Sequence, residues 1–89
     1  MALLDLVGQR WVLRIIWELR DGPLTFRALQ DACDGISPSV LNARLKMLKE
    51  ACLVEASDKG YLLTTLGEEL QSQFSPLNNW AEKWAKERK

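Results

Sequence analysis

The stretch from Trp11 to Leu19 constrains this chain more than any other. Val12, Ile15, Ile16 and Leu19 recur at helical spacing, and Trp11, Leu13 and Trp17 put apolar surface on the remaining faces. The polar residues Arg10, Arg14 and Glu18 line up along one narrow edge, with Arg14 and Glu18 a turn apart. A helix that is apolar on nearly every side has to be surrounded. The chain has 89 residues, one small domain at roughly 100–200 residues per domain. A domain of this size hides only about 60–65% of its unfolded surface. Covering such a helix therefore draws on every other element and points to help from a second subunit.

Composition narrows the class. Apolar residues make up 47% and charged residues 27%, close to globular averages, which excludes a disordered or low-complexity chain. Twelve basic residues balance twelve acidic ones, so the overall charge does not point to a polyanionic partner. The opening residues carry Asp5 and no basic run, unlike a secretory leader. The apolar run is broken by Arg14 and is too short to cross a bilayer, so no membrane partner is expected. Cys33 and Cys52 stand far apart, without a CxxC pair or any histidine. No metal site or cofactor is expected from them, and both read as small packing residues in a reducing cytoplasm. The missing histidines and singly scattered glycines leave no catalytic base and no phosphate-cradling loop, so the chain is not expected to be an enzyme.

The remaining pattern gives an order. Leu3, Leu4, Leu6 and Val7 predict a short opening helix stopped at Gly8, followed by a helix over residues 10–20 and a stop at Asp21-Gly22-Pro23. Thr25 can cap a third helix with Phe26, Leu29, Ala32 and Cys33 on its inner face. Ser37-Pro38 starts a fourth, serine as cap and proline at the first helical position, with Leu41, Leu45 and Leu48 turned inward. Leu53–Ala56 and Tyr61–Thr64 read as strands joined at Asp58-Lys59-Gly60, a hairpin signal. A last helical stretch begins near Thr64 or Thr65 and is expected to be interrupted or restarted at Pro76. Beyond it Leu77, Trp80, Ala81 and Trp84 share a face ahead of a charged tail. The fold class is mainly α with a small β-hairpin wing, in the order α-α-α-α-β-β-α.

Two helices joined by a short glycine-containing turn, the second followed by a hairpin, match the plan of a winged helix-turn-helix, whose second helix enters the DNA major groove. The same order also suits a generic small α+β domain whose helices only build core. The residues add a resemblance. Gly22-Pro23-Leu24-Thr25-Phe26-Arg27-Ala28-Leu29, the run from Gly35 to Leu48, and Leu53-Val54 resemble the HxlR family of transcriptional regulators, within the MarR-like superfamily. Leu4–Trp11, Tyr61–Gly67 and Leu77–Trp84 extend that resemblance over almost the whole chain. It implies a bacterial, homodimeric DNA-binding regulator, commonly a repressor, as a single unit over residues 1–89. In that reading 25–52 is the helix-turn-helix, 53–64 the wing and 65–89 the dimerisation helix. Three features depart from the family pattern. No residue from Met1 to Leu6 is the cysteine that some members use to sense electrophiles, the wing is short with one cation, Lys59, and the chain is less basic overall.

Helical geometry then selects the residues that would face DNA. With 41, 45 and 48 inward, Ser39, Asn42, Ala43, Lys46 and Lys49 point away from the core, with Arg44 at the flank. Asn42 suits adenine, Arg44 suits guanine or a phosphate, and Ala43 suits a thymine methyl. Lys46 and Lys49 suit phosphates, as does the helix start at Ser37. Thr25, Arg27 and Lys59 are further backbone-contact candidates. From Ser37 to Lys49 there are three cations and no anion, so the neutral total hides a basic strip. Leu3, Leu6, Trp17, Leu77, Trp80 and Trp84 are the expected dimer interface, since aromatic anchors of this kind mark hot spots. The apolar cleft between such helices and the body leaves room for a small-molecule effector. The rival reading is a winged-helix module that binds protein and not DNA.

Overall fold

The computed structural model describes residues 2–88; Met1 and Lys89, the outer limits drawn from the sequence, lie outside the described residues. Its elements are α1 (Ala2–Val7), α2 (Val12–Glu18), α3 (Phe26–Ala32), α4 (Pro38–Glu50), β1 (Val54–Ser57), β2 (Gly60–Leu63) and α5 (Thr65–Glu87). The order is the expected one, mainly helical with a two-stranded hairpin. Among the described residues no helix is long and apolar enough to cross a membrane.

The core forms where the apolar stripes meet. Val12, Ile15, Ile16 and Leu19 of the α2 segment pack with Leu29 and Cys33 from α3, Leu41, Leu45 and Leu48 from α4, and Val54 and Leu63 from the hairpin. The inward stripe expected for α4 is the buried one. Arg14 Nε donates to Glu18 Oε2 at 2.7 Å, and an Arg14 terminal nitrogen donates to the Ala32 carbonyl at 2.6 Å. The polar edge of α2 thereby clamps the end of α3.

Helix boundaries follow local chemistry. Thr25 caps α3 by accepting from the Ala28 N–H at 3.1 Å, and Ser37 caps α4 by accepting from Val40 at 3.2 Å. The second helix is shorter than residues 10–20, because Trp11 sits in the left-handed region at φ 80° and cannot continue it. At the hairpin the link is Asp58-Lys59 alone. Gly60 pairs with Ser57 and belongs to β2, a correction to the three-residue link. The sequence also hid a further strand contact: Leu24 and Tyr61 exchange backbone hydrogen bonds at 2.8 and 2.9 Å. A Cβ on Gly60 would run into the Leu24 carbonyl, so this close approach requires glycine.

Two expectations fail. Pro76 does not interrupt α5, which runs unbroken from Thr65 to Glu87. Proline deprives the Ser72 carbonyl of its N–H donor, but Pro76 and Ser72 are both exposed, so water can satisfy that carbonyl. Cys52 is not a packing residue: it is exposed, with φ 62°. It occupies the left-handed position that ends α4, with the Leu53 N–H on Leu48 O and the Cys52 N–H on Lys49 O, both at 3.0 Å. This is the Schellman arrangement, which normally selects glycine. Cys33, in contrast, is fully buried, and burial pushes its thiol up from the ordinary value. Under native conditions a thiol reagent is expected to label Cys52 quickly and Cys33 only after unfolding, one equivalent and then a second by mass spectrometry.

Candidate nucleic-acid interface

The exposed side of α4 carries Ser39, Asn42, Ala43, Lys46 and Lys49, all open to solvent. The leucines behind them hold the helix from within, and the Ser37 cap with Pro38 at the first helical position sets where it begins. This face has an amide, small residues and two ammonium groups, and no carboxylate before Glu50. Beside it, Tyr61, the second residue of β2, shares a shallow depression with Asn42, Lys46 and Lys49. Lys49 Nζ stands 5.4 Å from the Tyr61 ring centre, close enough for a cation–π attraction. Sequence reasoning missed Tyr61; its register opposite Ala56 was the available signal.

The other candidates are placed less uniformly. Arg44 is half-buried: its Nε donates to the Arg10 carbonyl at 2.8 Å, and a terminal nitrogen lies 3.9 Å from Met47 Sδ. That guanidinium ties α4 to the turn between α1 and α2. Arg27 lines a polar depression with Asp31 and Asp34, which offsets its charge. Ser37 and Thr25 are occupied as caps. Lys59 is exposed in the hairpin turn.

Among the interface candidates, Leu3, Leu77, Trp80 and Trp84 are exposed. Leu6 is half-buried against the core, and Trp17 lies under the Arg20 guanidinium, 3.8 Å from its ring centre. Trp80 and Trp84 stack with ring centres 6.3 Å apart. No group of three potential metal-ligating side chains is found among the described residues.

Residues 6–89 match the family described as HxlR-like helix-turn-helix. The chain belongs to that family. It is 33% identical over 87 residues to the HTH-type transcriptional regulator YodB of Bacillus subtilis, covering 90% of this chain and 78% of that protein. The quinone-bound structure of YodB superimposes with a TM-score of 0.82 at 35% identity, covering 92% of each chain. An HxlR family transcription factor from Thermoplasma volcanium superimposes with a TM-score of 0.88 at 27% identity, over 94% of this chain and 82% of that one. This HxlR-like protein is thus a transcriptional regulator of helix-turn-helix type with a winged-helix fold.

Proposed function

We propose that the chain is a cytoplasmic, sequence-specific DNA-binding repressor acting as a homodimer on a pseudo-palindromic operator. Residues 1–89 work as one unit, with the helix-turn-helix in 25–52, the wing in 53–64 and a dimerisation helix in 65–89. The observation that carries this reading is the solvent-facing side of α4. Asn42 reads an adenine edge, Ala43 and Ser39 allow close approach, and Lys46 and Lys49 hold phosphates. Ser37 brings the positive end of α4 to another phosphate, with Thr25, Arg27 and Lys59 flanking it. Arg44, at the flank of α4 and bonded through Nε to the Arg10 carbonyl, reaches a guanine edge or a phosphate.

Fluorescence anisotropy on operator DNA selected from random sequence tests this. Asn42→Ala is expected to weaken binding about 10-fold and relax the preference at one base position, at roughly 1–3 kcal/mol per bidentate contact. Lys46→Ala is expected to weaken all sequences alike and to flatten the salt dependence by about one phosphate per subunit. Loss of binding to a partner protein, with DNA binding intact, would favour the interaction-module reading. A cleft of about 220 Å³ between α2 and α5, lined by Trp17, Ile16, Phe74 and Leu77, supports an effector of single-ring size. YodB, whose solved forms include a quinone-bound one, gives the chemical class to try first.

A further inference from the structure

Along α5, Leu66, Leu70, Gln73, Leu77, Trp80 and Trp84 are spaced by four, three, four, three and four residues. That is an unbroken heptad seam, the period of a coiled coil rather than of a helix lying on a globular core. The helix already uses a different side against its own body: Gly67 is buried, and Gln71, Phe74, Asn78 and Ala81 are half-covered. Most of the seam is left open, with Leu66, Leu77, Trp80 and Trp84 exposed by 55%, 54%, 57% and 49%, while Leu70 is half-buried against the core. The seam is also symmetric along the helix. Counted inward from either end, Leu66 matches Trp84, Leu70 matches Trp80, and Gln73 matches Leu77.

We propose that α5 pairs with α5 of a second copy as an antiparallel coiled coil in that register, which deepens the homodimer reading above and rests on it. Each tryptophan then meets a leucine of the other subunit. A parallel pairing would stack tryptophan on tryptophan, and large against small is the better way to fill a layer. A slide by one heptad one way pushes Trp84 beyond the start of the facing helix, and the other way sets Trp84 on Gln73 and leaves Leu66 without a facing residue. Charge agrees with this choice. Glu69 and Lys83 both flank the seam on the same side, in the positions that face each other across an antiparallel pair. The register therefore sets the Glu69 of one copy beside the Lys83 of the other, twice per dimer.

The groove at the first half of α5 fits the same occupant. It is an open cleft of about 760 Å³, floored by Leu3, Leu6, Met47 and Leu53 beside Leu66 and Leu70, with Glu50 and Glu69 at its rim. The end of α5 that the register delivers there carries two stacked rings, with Lys83, Lys86 and Arg88 interspersed with Glu82 and Glu87. Arg88 lies 4.6 Å from the Trp84 ring centre. An apolar groove thus receives the aromatic face of the helix end, with Lys83 on the side of Glu69.

Sedimentation equilibrium on the full chain decides the register. Glu69→Lys and Lys83→Glu each replace two attractions by two repulsions at exposed sites, and each is expected to raise the dimer dissociation constant about 3–10-fold. The double variant E69K/K83E is expected to return to within about 2-fold of the original, and the effects should fade in high salt. Mixing the two single variants is expected to give mainly heterodimers, because only the mixed pair restores both attractions; this readout does not depend on either variant's own stability. An original dimer that neither substitution weakens overturns the register and leaves the homodimer standing. The same holds for single variants whose losses the double variant does not repair. An original chain that stays monomeric at micromolar concentration overturns both.

Discussion

Replacing Gly67 with alanine is expected to destabilise the fold by about 2–4 kcal/mol, within the range of overpacked buried sites. In thermal melts followed by circular dichroism this is a fall in Tm of about 10–25 °C for a domain of this size. Helix propensity alone gives the opposite sign, since alanine is favoured over glycine inside a helix by about 1 kcal/mol. The reversal comes from where α5 starts. Thr64 caps it, accepting from the Gly67 N–H at 3.0 Å, and its own N–H donates to the Leu53 carbonyl at 3.0 Å. Its hydroxyl donates to the Cys52 carbonyl at 2.6 Å. A Cβ on Gly67 would collide with that Leu53 carbonyl and lie 3.2 Å from Leu63 Cβ. What it meets is backbone, held by the Schellman turn that ends α4, so the contact has no flexible side chain to yield. An alanine variant that melts with or above the original chain would falsify this account of the junction.

Element order, the α4 stripe and both serine and threonine caps followed from local patterns, because periodicity and capping are local physics. The features that stayed hidden depend on what lies across the chain. Cys52 follows an apolar pattern but occupies the exposed left-handed position between α4 and β1, where the backbone turn, not hydrophobicity, sets the side chain's direction. Pro76 reads as a breaker, yet its position on the solvent side of α5 makes the missing hydrogen bond tolerable. Arg44 also bonds the Arg10 carbonyl, thirty-four positions away in sequence, a contact that no local pattern gives. Leu24 pairs with Tyr61 although its own segment reads as a turn. In the candidate interface, the outward residues of α4 were legible by geometry, whereas the contribution of Tyr61 needed the fold to bring the hairpin beside that helix.

Removing both exposed tryptophans, Trp80→Ala with Trp84→Ala, is expected to leave the monomer folded and to abolish tight operator binding. The two rings are about half exposed and stack on each other rather than on the core, so their loss opens no buried cavity. At an interface the same rings are anchors, and truncating one typically costs 2 kcal/mol or more. Two rings from each of two subunits place the expected rise in the dimer dissociation constant at about 10³-fold or more, allowing for non-additivity. Operator affinity follows, because a second half-site contributes only while the subunits are joined, and losing that linkage typically removes about 10²–10⁴-fold. Melting curves, sedimentation and DNA titration on one preparation separate the possibilities. A double variant that melts like the original but runs as a monomer and binds operator weakly is the expected result. One that stays dimeric assigns the interface to other surfaces. One that becomes monomeric yet keeps full operator affinity removes the need for a dimer on DNA, since a single α4 face with two lysines would then supply the whole of the binding energy.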